Sequence, residues 1–202
     1  MTDGTHAHRR SPGARGAVGV VPLGNVGGVA LRIVAANVQA VSGLATDVLE
    51  PRPLPPSAYL GDRRQYDASR IIAHMAGWSE LNSHARIIGL VSVDLCVPIL
   101  QFVFGEAQMG GRLALVSGAR LRTNPDGSEV PLDRYYERLV KVALHELGHT
   151  LEIYHCDTPG CLMCFSPSVS HLDRSDIRLC SRCLFLFNRA VHALAHPKEK
   201  PL

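Results

Sequence analysis

The chain has 202 residues, 46% of them hydrophobic and 19% charged, which is enough for one domain with a substantial core and too little for two. Its formal net charge is +3, much of it from Arg9, Arg10 and Arg15 near the N-terminus. The near-neutral remainder excludes nucleic acid as the main partner, because phosphate binding needs clustered Lys and Arg.

No apolar run reaches membrane-spanning length, and the N-terminus lacks the hydrophobic core of a signal peptide. The expectation is a cytoplasmic protein without membrane contact. In a reducing compartment its six cysteines point to metal ligation ahead of disulfides.

Residues 1–17 carry Gly, Pro, Arg and Ser without periodicity and are expected to form a disordered arm, His6 and His8 included. Residues 18–202 then form the single domain. Val18 to Leu23 reads as a strand, and the stretch from Gly24 to about Val41 as a helix with an apolar face. Ala45 to Leu49 is a second strand, and PRPLPP at 51–56 an extended linker, since closely spaced prolines exclude helix. RRQYDASRIIAHMAGW predicts a helix in which Asp67 pairs with Arg63 or Arg70 at the surface.

Arg86 to Val93 is continuously apolar, as in the middle of a sheet covered on both sides. Strands alternating with helices indicate an α/β layer architecture. Asp94 to Pro98 is read as a connection, and Gln101 to Ala107 as a strand pairing through Gly110 and Gly111 with Leu113 to Ser117. A helix begins near Leu132, where Leu132, Tyr135, Tyr136, Leu139 and Ala143 trace one apolar stripe.

That helix runs into HELGHTLEIYHCDTPGCLMCF at 145–165. His145 and His149, four residues apart, leave one helical face a turn apart, which suits two corners of a zinc tetrahedron. Glu146 projects to the edge of that face, where its carboxylate can take a proton from water activated by the ion. His155 can join them only if the chain turns back after about Glu152. Three imidazoles plus water is the pattern of a catalytic zinc, and four cysteines at 156, 161, 180 and 183 match a closed structural one.

HExxH with a third His, a placed Met163 and the spaced cysteines resembles the archaemetzincins, a branch of the metzincin zinc peptidases. The resemblance is tightest over residues 145–183. It implies a small single-domain metzincin-like α/β fold: a mixed twisted sheet with helices, an active-site helix and a zinc-stapled C-terminal segment. It also implies two zinc ions per chain. His145, His149 and His155 would hold the catalytic one, and Cys156, Cys161, Cys180 and Cys183 the structural one. Met163 would be the methionine turn beneath the histidines.

The resemblance implies a peptide or protein substrate lying along the strand before the active-site helix. QFVFGEAQ at 101–108 is the candidate, with a plain hairpin strand as the alternative reading. Where the family has glycine this chain has Glu152, and a left-handed turn there costs a residue with a Cβ roughly 1 kcal/mol or more. A catalytically weak or inactive, zinc-stabilised peptide-binding protein is therefore the second reading. A redox protein using Cys180 and Cys183 is the third. Cys96 and Cys164 fit no ligand spacing, His74 and His171 have no ligand role, and Leu184 to Ala195 reads as a closing apolar helix with His192 on it.

Overall fold

The computed structural model describes residues 16–196. Most of the expected N-terminal arm lies outside them, though Ala17 is buried and its carbonyl accepts from the Ala85 amide.

A five-stranded sheet forms the centre. It contains β1 (Val18–Pro22), β2 (Thr46–Val48), β5 (Arg86–Val91), β8 (Gly105–Ala107) and β9 (Leu113–Ser117), in the order β2-β1-β5-β9-β8. The first four neighbours run parallel and β8 is antiparallel at the edge. Every residue of β1 and β9 is buried, which explains why these strands read as unbroken apolar runs. Val18, Val20, Ile88, Leu90, Ala114 and Val116 face one core, Val21, Ile87, Val91, Leu113 and Leu115 the other. The first core is closed by α1 (Gly28–Ser42) and α3 (Leu132–Thr150), the second by α2 (Ala68–Ala76).

A second, four-stranded sheet, absent from the sequence reading, has the order β3-β4-β6-β7, from β3 (Tyr59–Leu60), β4 (Gln65–Asp67), β6 (Leu95–Val97) and β7 (Leu100–Val103). It corrects three expectations. The segment expected to be a connection contains β6, because Leu95, Cys96 and Val97 are all buried and pair with β4 and β7. The helix expected from Arg63 starts only at Ala68, where the Asp67 side chain accepts from the Arg70 amide as an N-cap. Asp67 also lies 3.5 Å from the Arg70 guanidinium.

Gln101 to Ala107 is not one strand either. Arg63 donates to the carbonyls of Leu100 and Gln101, and the Gln65 amide to that of Gln101. These bonds draw β7 into the second sheet, so the chain changes sheets at Phe104. Leu132, placed on the buried stripe, is 62% exposed because it opens the first turn of α3, while Tyr135, Leu139 and Ala143 are buried.

The C-terminal segment folds over the outer end of α3. The connection expected between Met163 and Cys180 contains a short helix, α4 (Val169–Arg174), which carries His171. Next comes α5 (Ser181–Ala195), whose Cys183 and Phe187 are buried in the first core.

Candidate active site

α3 presents His145 and His149 on one face, and each ring is oriented from behind. His145 Nδ1 lies 2.8 Å from the Leu162 carbonyl and His149 Nδ1 2.8 Å from the Ile153 carbonyl. Since a carbonyl only accepts, each Nδ1 carries the proton and each Nε2 is left with a lone pair. Burial holds both rings' basicity down, His145 to about 4. Neutral imidazoles are the form a metal needs.

The chain then turns as His155 requires. Glu152 takes φ of +65°, its N–H donating to the His149 carbonyl at 3.0 Å and the Ile153 N–H to the Gly148 carbonyl at 3.0 Å. These are the two bonds of a Schellman closure, and a side chain in that conformation costs about 1–2 kcal/mol. Glu152 therefore supports a left-handed helix end without a glycine. It brings His155 Nε2 to 3.2 Å from His149 Nε2, with ligand atoms of all three rings within 4.8 Å of one another. A zinc tetrahedron with arms of about 2.0–2.1 Å separates its corners by about 3.3 Å. The donor set fits that ion.

Met163 lies fully buried against α3. A Cβ at Gly148 would come 2.5 Å from its sulfur, so the glycine between the two helical histidines lets the thioether rest directly on the helix backbone. Glu146 is 6% exposed. Burial first, and the Glu106 charge second, raise its carboxyl well above the usual range.

The three histidines and Glu146 border a cleft of about 430 Å³. One wall is Leu100 to Ala107; the opposite side includes Leu162, Phe165, Pro167 and Leu172. In the β8–β9 ladder the Ser117 N–H donates to the Phe104 carbonyl and the Gln108 N–H to that of Leu113. An antiparallel ladder alternates, so Gly105 and Ala107 aim their N–H and C=O groups away from β9, toward the free edge.

The cysteines gather on the far side of His155. Cys156 Sγ lies 3.7 Å from Cys180 Sγ, and the sulfurs of Cys156, Cys161, Cys180 and Cys183 lie within 4.8 Å of one another. Zinc–sulfur arms of about 2.3 Å give corners about 3.8 Å apart. Amides face the sulfurs: Thr158 N–H donates to Cys156 Sγ and Cys180 N–H to Cys161 Sγ. Cys180 caps α5, and the Cys183 amide does most to lower its thiol to about 6. Cys164 instead bonds the Thr158 carbonyl, and Cys96 is buried in β6.

Two residues that the sequence did not single out hold α4, whose Leu172 lines the cleft. Arg138 is buried yet donates two bonds to Asp173, and donates also to the carbonyls of Leu121 and Thr123 and to Asn124 Oδ1. Lys141, also buried, pairs with Glu137 at 2.7 Å and bonds the Leu172 carbonyl. Together they tie α4 to α3. Arg138 is seven residues before His145, two helical turns, and that spacing was the available signal.

Residues 57–189 match Peptidase family M54. An archaemetzincin of Haloarcula marismortui is 34% identical over 171 residues, covering 82% of this chain and 96% of its own. The crystal structure of the archaemetzincin from Methanopyrus kandleri superposes with a TM-score of 0.77 at 34% identity, covering 92% of this chain and 99% of that one. A zinc-dependent peptidase from Methanocorpusculum labreanum superposes with a TM-score of 0.75 at 26% identity, covering 85% and 100%. Matched in sequence and in fold over most of its length, the protein belongs to the archaemetzincins, Peptidase family M54, and is a zinc metallopeptidase.

Proposed function

We propose that His145, His149 and His155 hold the catalytic zinc, that Glu146 is the general base, and that Cys156, Cys161, Cys180 and Cys183 hold a second, structural zinc. The observation carrying this reading is the approach of the His149 and His155 Nε2 atoms to 3.2 Å with Glu146 on the same cleft. A zinc ion held by these histidines would supply Lewis acidity toward a peptide carbonyl and would lower the pKa of water toward about 7. Glu146 accepts the proton released by the attacking water and returns it to the leaving amine.

The peptide lies as an added strand on the free edge of β8, where Gly105 and Ala107 offer two donors and two acceptors. Main-chain bonds of this kind hold an extended backbone whatever its sequence. Residues 18–202 act as one domain, Met163 serves as the methionine-turn floor, and a reducing, cytoplasmic compartment keeps the sulfur cluster available to metal.

Elemental analysis of the purified protein should give two zinc per chain. Turnover of a peptide mixture should be lost in Glu146→Gln with both ions retained. Unchanged turnover in that variant would reject the base, and absence of turnover in the wild type would favour a zinc-stabilised peptide binder.

A further inference from the structure

Glu146 is buried against the backbone of the strand that borders the cleft, and the contact point is Gly105. A Cβ built on Gly105 would lie 2.6 Å from both Cγ and Oε1 of Glu146 and 2.8 Å from Cδ. Carbon and oxygen do not approach that closely, so any side chain at 105 competes with the carboxylate for one volume. Gly105 does not have positive φ. Its backbone is thus open to any residue, and the need for glycine lies in the space itself.

The register adds a second reason. Gly105 belongs to a non-hydrogen-bonded pair with Val116, so its N–H and C=O point to the edge while its missing side chain would point at α3. One residue therefore touches both the groove for the substrate backbone and the carboxylate.

We propose that Gly105 is a positioning residue for catalysis: its bare Cα is the socket that fixes the Glu146 carboxylate beside the edge on which the peptide backbone lies. The proposal rests on Glu146 as the base. A residue only 6% exposed cannot swing freely into solvent, so a methyl group at 105 forces the carboxylate along or off its position by about an ångström. Misplacement on that scale costs a reaction about 10²-fold. The N–H and C=O of residue 105 survive the change, so substrate binding is spared.

The test uses the zinc-loaded full chain. Gly105→Ala should lower kcat about 100-fold, leave KM within about threefold and leave the zinc content unchanged. Its crystal structure should place the Glu146 carboxylate about 1 Å from the wild-type position. In a Glu146→Asp background the shorter side chain withdraws from residue 105, so adding Gly105→Ala there should cost less than about threefold.

An undisplaced carboxylate with unchanged kcat would overturn the proposal, as would an equal loss in both backgrounds. If the wild type cleaves no peptide, the reading of Glu146 as a base fails separately. The crystallographic comparison then decides whether Gly105 is the socket: a displaced carboxylate supports it and an unmoved one overturns it.

Discussion

One peptide bond, between His155 and Cys156, joins two clusters built to the same tetrahedral scale from different donors. The histidine cluster borders the cleft, offers three ligand atoms and has a buried carboxylate beside it. The cysteine cluster offers four, receives amide N–H groups on its sulfurs, and is not among the cleft-lining residues. Donor number separates them, because three protein ligands leave a position for water and four do not. Their shared backbone means that one cluster can position a ligand of the other.

The sharpest test of the contrast is at Glu146. Glu146→Gln should cut kcat about 10³-fold while leaving zinc at both clusters, since proton transfer by a placed side chain contributes typically 10²–10⁴. Peptide turnover and elemental analysis read the two halves. Loss of metal would assign this residue to the wrong side of the comparison.

Replacing Cys161 and Cys183 with Ser together should reduce zinc from two ions to one and lower the melting temperature by about 10 °C, because a structural ion contributes folding free energy outright. Turnover should also fall as His155 loses its anchored neighbour. By contrast His149→Ala should empty the histidine site with a smaller change in melting. Equal melting losses in the two variants would erase the division between catalytic and structural ions.

Glu152→Gly relieves the left-handed strain at the turn between the clusters. It should stabilise the protein by about 0.5–1 kcal/mol, raising the melting temperature by about 1–4 °C at unchanged turnover. A fall in melting temperature would mean that contacts of the Glu152 side chain against Gly110 outweigh the strain.

The smallest effect concerns the wall that holds α4. Hydrogen bonds from Arg138, and secondarily its charge, hold the Asp173 carboxyl below the usual range. A depressed folded pKa contributes stability above the unfolded value near 3.8 that is lost as pH falls through the lower folded value. Melting followed below pH 4 should therefore decline less steeply in Asp173→Asn than in the wild type. Parallel curves would remove this pair from the acid response.

Local chemistry made much of the site legible. His145, Glu146 and His149 are fixed relative to one another by the pitch of a single helix, so their spacing carries their geometry. Cys180, at the N-cap, and Cys183, in the first turn of α5, are likewise held together by one helix start. The central parallel strands were readable because burial on both faces leaves an uninterrupted apolar run, as in Arg86–Val91.

Other features depend on partners remote in sequence. The strand at Leu95–Val97, the change of sheet at Phe104, the burial of Arg138 against Asp173 and the contact of Gly105 with Glu146 each need two segments to meet. Gly105 is instructive, because its role is a volume left vacant for a side chain 41 positions later, and no local propensity encodes a vacancy. The sequence by itself determined the ligand types, their number and the helix that carries two of them. Only the tertiary structure decided that the chain turns at Glu152 to bring in the third and that an edge strand meets the carboxylate. The reason is physical: helical periodicity acts over a few residues, whereas convergence and excluded volume are properties of packed surfaces.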